Sequence, residues 1–309
     1  MMTTKDNQSD SPMNPLDRED GILHITLAEG LVRGLLLTGT KTVQEAARIH
    51  QTTPVVTAAL GRMLMGTAML GTMLKGEQSS VTVSIDGGGP IGKMICVGDA
   101  QSVRGSVDHP GLELPLRRDG KLSVGSAVGS EGRISVVKDL GLKTPYVGQV
   151  SLVSGEIAED FASYFVQSEQ SPSLVSLGVL VAQDVVLAAG GVLLQPLPGC
   201  PDSVIDQLEL RSPLFGDISR ELAHDPMEVL MKGWFAGLDP VLLETTPLSY
   251  QCHCSRSRME KALIALGREE LTRMIEDEID GAELSCHFCR ARHHFTTQDL
   301  IRLLNKATQ

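Results

Sequence analysis

Two closely spaced cysteine pairs near the C-terminal end constrain this chain more than any other feature. QCHCSRS carries Cys252 and Cys254, SCHFCRARHHF carries Cys286 and Cys289, and 31 residues separate Cys254 from Cys286. Each pair can supply two corners of one tetrahedron, which is how structural zinc sites are written in sequence. The expected ligand set is therefore Cys252, Cys254, Cys286 and Cys289 around one Zn²⁺ per chain. His253 and His287 sit inside the pairs as replacement ligands, but four thiolates already fill the tetrahedron, and the histidines are read as bystanders. Met259, Ala262, Leu263 and Leu266 recur at helical spacing, Gly267 can end that helix, and Leu271, Met274 and Ile275 mark a second one. A helical hairpin of this kind returns the chain to its start and brings the pairs together. A centre of one Zn²⁺ and four thiolates carries a net charge of −2, so Arg256, Arg258, Arg290 and Arg292 are expected to complement it.

Cys96 and Cys200 stand alone, in an apolar and a turn setting, and read as buried or incidental thiols. With 309 residues, 42% of them hydrophobic, the chain can bury a sizeable core in about two domains and needs no disulfides to fold. The first twenty residues are polar with no apolar run, so a disordered tail without a secretory signal is expected. That places the protein in the reducing cytoplasm, where clustered cysteines are metal ligands or redox-active thiols. The longest apolar run, MLMGTAMLGTML (63–74), is too short to span a bilayer and reads as a buried helix with Met63, Met65, Met69 and Met73 in the core. No membrane partner is expected, and a net charge of −11 argues against nucleic acid.

Along the chain, residues 41–75 look helical with a break at Pro54. From residue 81 the texture becomes short and β-branched: 81–85, 92–98, 102–107, 121–128, 132–140 and 146–154 read as successive strands. A helix from Glu156 follows, with Ile157, Phe161, Tyr164 and Phe165 on one face, then strands over 174–183 and 185–197. Residues 202–250 carry short helical candidates, one of them capped by Asp225 with Met227, Leu230, Met231 and Trp234 on its apolar face. Such pieces are marginal alone, which makes the stretch a candidate for conditional folding. The expected fold class is α+β. A tail over 1–20 precedes a core domain over 21–198, with a multi-stranded mixed or antiparallel sheet flanked by helices. A metastable helical linker over 199–250 and a small zinc-binding domain over 251–309 follow.

DGGGPIGKM (86–94) imitates a phosphate-binding loop through Gly87, Gly92 and Lys93, but Met94 stands where a hydroxyl must reach Mg²⁺ and a strand follows instead of a helix. A tight turn is the better reading. No catalytic constellation is present, so no enzyme is expected. The C-x-C spacing points beyond a structural staple, since a disulfide across one residue strains its loop. Zinc keeps its thiolates deprotonated, and nearby cations keep them attractive to an electrophilic oxidant. Oxidation would remove the ligands and eject the metal together. Two rivals are a zinc-dependent nucleic-acid binder, opposed by the acidic charge, and a thiol oxidoreductase, which needs a βαβ context that residues 280–295 do not show.

The spacing C-x-C, 31 residues, C-x-x-C, with CSRSRMEKAL running on from the first pair, resembles the bacterial redox-regulated heat-shock chaperonins of the same mass class, and this chain has 33.1 kDa. The resemblance extends to ALGRML (59–64), GGGP (87–90), VRGSV (103–107), VVKDLGLKTPYVGQVSLVSGEIAEDFASYF (ending at 165), SEQSPS (168–173), LGVLV (177–181) and AAGGVLLQPLPG (188–199). It implies a stress-response holdase without ATP or turnover, inactive when reduced and zinc-bound. Peroxide or hypochlorous acid, helped by heat, would form Cys252–Cys254 and Cys286–Cys289 disulfides. The zinc domain and linker would then unfold, and the active form, a homodimer, would hold unfolding client proteins. Two departures stand at the site: the family has Gly after the last cysteine and an aromatic three residues later, where this chain has Arg290 and His293. A positive φ there would strain Arg290.

Overall fold

The structure, a computed structural model, describes residues 18–76, 78–277 and 281–306. Two compact units meet in sequence at the Tyr250–Gln251 bond. Through residue 17 the expected tail lies outside the described residues, but its last residues belong to the first unit. Asp20 is buried there, and its carboxylate accepts the backbone N–H groups of Lys41 and Thr42.

In the first unit, the alternation in SVTVSID places Val81, Val83 and Ile85 inward along β3 (Ser80–Asp86). Its neighbours are β4 (Met94–Gly98), β5 (Ser102–Val107), β6 (Arg133–Asp139) and β7 (Tyr146–Ser151), and DGGGPIGKM is the turn from β3 to β4. With β11 (Ser249–Tyr250) they form a sheet in the order β11-β5-β4-β3-β6-β7, antiparallel except where β11 runs parallel to β5. The second sheet, order β10-β1-β2-β9-β8, is antiparallel throughout and is built from β1 (Gly21–Leu27), β2 (Val32–Thr38), β8 (Leu174–Ala182), β9 (Val185–Pro196) and β10 (Val241–Pro247). Helix α1 (Thr40–His50) is followed, past the break at Pro54, by α2 (Pro54–Thr72). The latter touches strands of both sheets, with Met63, Met65 and Met69 buried. Among the described residues α2 alone is long and apolar enough to cross a membrane, and 89% of that stretch is buried within the protein. Helix α4 (Ala158–Gln167) adds Phe161, Tyr164 and Phe165 to the same core.

Two of the expected segment assignments need correction. KLSVGSAV (121–128) contains a short helix, α3 (Val124–Val128), because Val124, Ala127 and Val128 are buried at helical spacing and Gly125 and Ser126 weaken any strand. Residues 202–250 are not helical throughout, since β10 pairs with β1 in register from Gly21↔Pro247. Its residues are almost all exposed, so no alternation marked it.

Helices α5 (Asp202–Phe215), α6 (Ile218–His224) and α7 (Met227–Trp234) cover the other face of the β1-β2-β9 strands. Phe215, Ile218, Leu222, Met231, Trp234 and Phe235 pack there on Ile25, Leu36, Val192 and Leu194. Each large side chain so buried contributes about 1.5–3 kcal/mol, and this packing holds helices that are marginal alone. Close approach needs glycine: Gly178 and Gly190 are register partners, and a Cβ on either would meet Ile218 or Leu222 of α6. Asp225 does not cap α7. The cap position falls on Pro226, without a side-chain hydrogen bond.

The second unit runs α8 (Arg256–Ala265), α9 (Arg268–Asp277), the antiparallel hairpin β12 (Ala282–Ser285) and β13 (Arg292–Phe295), and α10 (Thr297–Lys306). Ser255 caps α8, and Gly267 at φ 91° turns the chain into α9. Leu263, Leu271, Ala282, Phe295, Leu300 and Leu303 form its core. Leu266, expected on the apolar face, is exposed at the helix end.

Candidate metal centre

A unit of this size with so small an apolar core needs a further source of stability, such as a metal. Its cysteines lie where one could bind. Cys252 and Cys254 precede α8, and Cys286 and Cys289 occupy the turn between β12 and β13. The α8–α9 hairpin and the β-hairpin bring the four sulfurs within 4.8 Å of one another. Cys252 Sγ lies 3.6 Å from Cys286 Sγ, and Cys254 Sγ 3.3 Å from Cys289 Sγ. A tetrahedron with metal–sulfur bonds of about 2.3 Å has edges of about 3.8 Å, so the donor set fits an ion of zinc's size.

The turn is a knuckle closed by two backbone bonds, Arg290 N–H to Cys286 O and Cys286 N–H to Ala291 O, both 2.9 Å. Closing it holds Arg290 at φ 58°, in the left-handed region. Burial pushes the Cys286 thiol up, but the backbone N–H groups of Cys289 and Phe288 and the neighbouring thiols outweigh it and leave the group below its ordinary value. Burial drives Cys252 up to about 11, and Cys254 is raised too, by burial and by the Cys289 thiol. Crowded thiols of this kind repel one another once ionised, which a dication in their midst would reverse.

His293 approaches the cluster, with Nε2 3.9 Å from Cys254 Sγ. His253 and His287 are not among the clustered donors. The expected cationic complement needs correction. Arg256 pairs with Asp299 at 2.7 Å and lies over the Phe295 ring, and Arg292 reaches Glu283 at 3.4 Å. Carboxylates of the unit's own frame claim both guanidiniums, which leaves Arg258 and Arg290, among the described residues, as the two of the four without an ion-pair partner. Cys96 is fully buried in β4, where burial raises its thiol, and Cys200 is half-buried after Gly199.

Comparison with known proteins decides the family. The family model described as Hsp33 protein matches residues 20–296. The chain belongs to the Hsp33 family. A 33 kDa chaperonin of Alkaliphilus metalliredigens (strain QYMF) is 45% identical, across 92% of this chain and 98% of the relative. One from Bacillus pumilus (strain SAFR-032) is 46% identical, across 91% and 97%. Among solved structures, the crystal structure of the 33 kDa chaperonin from Thermotoga maritima matches with a TM-score of 0.85 and 36% identity, covering 94% of this chain and 99% of that one. The α+β architecture is thus that of Hsp33 proteins, and these relatives are named as chaperonins, not for a catalysed reaction. Sequence reasoning passed over Arg18, a single arginine in a polar stretch with no motif around it, although its side chain reaches α6.

Proposed function

We propose that this Hsp33 protein is a redox-regulated, ATP-independent holdase that protects unfolding proteins from aggregation under oxidative and heat stress. The observation that carries the reading is the four-sulfur cluster of Cys252, Cys254, Cys286 and Cys289 in a unit with few other sources of stability. When bound, one Zn²⁺ per chain would hold the four sulfurs as thiolates, the form an oxidant attacks. Cys252 with Cys254, and Cys286 with Cys289, would each give two electrons to one peroxide. That peroxide takes two protons and leaves as two waters, and the resulting disulfides no longer bind a metal. Lost metal binding is worth about 10–16 kcal/mol, comparable to the stability of a whole domain. The second unit would unfold and α5–α7, the linker reading of residues 199–250, would loosen. Their apolar residues and the sheet face beneath them supply the client surface. Clients are unfolded or partly unfolded proteins, the active form is a homodimer, and the setting is the bacterial cytoplasm with no nucleic-acid or membrane partner.

The test measures metal, free thiols and client aggregation on one purified sample before and after peroxide. One zinc per chain is expected in the reduced state, unchanged when Cys96 and Cys200 are replaced by Ser, and a fall to half occupancy would remove the ligand assignment. Oxidised protein should suppress aggregation without nucleotide, and equal protection by the reduced, zinc-loaded form would sink the switch. Because Cys252 lies against Cys286 and Cys254 against Cys289 across the pairs, peptide mapping must find disulfides within each pair. Cross-pair bonds in the active form would overturn the pairing.

A further inference from the structure

Helix α6 ends where its own backbone can no longer satisfy it. Pro226 has no N–H to return to the Leu222 carbonyl four residues earlier, and Asp225 is extended at φ −120° and ψ 147°, carrying the chain away towards α7. Among the carbonyls at the negative end of the helix are those of Leu222, His224 and Asp225. One side chain meets these three. Arg18 Nη1 donates to Leu222 O at 2.5 Å and to Asp225 O at 2.9 Å, and Nη2 donates to His224 O at 3.0 Å. Such bonds are charge-assisted, and a cation at a helix C-terminus is favoured by the helix dipole.

The clamp is firmly mounted. Two residues on, the Asp20 carboxylate accepts Lys41 N–H at 3.2 Å and Thr42 N–H at 2.6 Å in the first turn of α1, and the Asp20 carbonyl accepts Leu248 N–H at 3.1 Å. The guanidinium therefore reaches α6 from backbone pinned to the core. At the far side of the same turn, Leu222 packs over Gly190 of β9. Arg18 precedes the segment that the family model matches.

We propose that Arg18 is a metal-independent latch on the linker: it ties the α6–α7 corner to the core and sets how readily those helices leave the sheet. The inference rests on the reading of residues 199–250 as the element that must loosen for activity. It adds that the cysteine site is not the sole restraint. With Arg18 removed, the three carbonyls must find water, and the corner opens while the metal centre is intact.

The test compares full-length wild type, Arg18→Ala and Arg18→Lys, reduced and zinc-loaded, by zinc content, amide exchange over residues 218–235 and suppression of client aggregation. Arg18→Ala should keep one zinc per chain while those amides exchange about ten-fold faster, and Arg18→Lys, a charge with fewer directed donors, should fall between. Exchange within two-fold of wild type would overturn the latch, and so would loss of zinc in Arg18→Ala, which would make the contact part of the metal-dependent restraint. If Arg18→Ala does not fold, Arg18→Lys carries the same comparison. Faster exchange with aggregation suppression no higher than that of reduced wild type would uphold the latch while sinking the linker's role in activity.

Discussion

Arg290 follows the last cysteine of the knuckle at φ 58°, a conformation that costs a residue with a Cβ roughly 1–2 kcal/mol. The side chain does not offset that cost, since among the described residues its guanidinium has no hydrogen-bond or ion-pair partner. Arg290→Gly relieves the strain but adds freedom to the unfolded chain. A net gain of about 1 kcal/mol, or roughly five-fold slower zinc loss to a competing chelator, is expected. Arg290→Gln, which removes the charge and keeps the Cβ, should release metal like wild type. Equal release from the Gly variant would show that the left-handed turn imposes no load on the site.

Strand β9 shows how single atoms position whole elements. Gly190 faces α6 and Gly191 faces α2, so that helices pack on both sides of the strand at one point. A Cβ at Gly190 would lie 2.1 Å from Leu222 Cδ1 and 2.6 Å from Leu37 O, and the backbone oxygen cannot swing away. Gly190→Ala is expected to destabilise the first unit by about 1–3 kcal/mol, read as a lower denaturant midpoint. In α7, by contrast, Gly233 is exposed with nothing within 4 Å of an added Cβ. Gly233→Ala should stabilise that helix by about 0.5–1 kcal/mol and raise the heat needed for activation. A variant that activates as readily as wild type would mean that α7 does not have to loosen.

On the scale of the whole chain, the proposed switch must carry a change at four sulfurs into helices that hold none of them. Trp234, the single tryptophan, is buried and packs edge-on against Phe215 with ring centroids 5.3 Å apart. It reports on that event alone. The covalent route is short: Tyr250, two residues before Cys252, is fixed in the first unit by its hydroxyl, which donates to Gly105 O at 3.0 Å and meets His50 Nε2 at 3.3 Å. Under peroxide with mild heat, Trp234 emission should move to the red and amide exchange over 202–250 should quicken, while residues 81–195 stay protected. An unchanged Trp234 signal after complete zinc release would show that metal and linker are uncoupled, and the cysteine cluster would be a local staple.

The cysteine cluster was legible in the residues themselves, because a donor set able to hold a metal needs short loops of fixed residue type, and Cys252, Cys254, Cys286 and Cys289, whose sulfurs the fold gathers, carry that pattern without reference to anything distant. Strands such as β3 were legible for a similar reason, since alternation is local. Tertiary structure alone decided the rest. Val241–Pro247 is a strand only because β1, more than two hundred residues earlier, offers it an edge, and its exposed side chains leave no period to read. Val124–Val128 is a helix because its buried positions match the core around it. In sequence Arg256 is free to balance thiolate charge, but folding sets Asp299 beside it, and Arg18 belongs to a polar tail, but Pro226 leaves carbonyls for it to bind. Spacing along a chain shows which groups can share a centre, whereas which charges and backbone groups are already satisfied depends on neighbours that only the folded chain brings near.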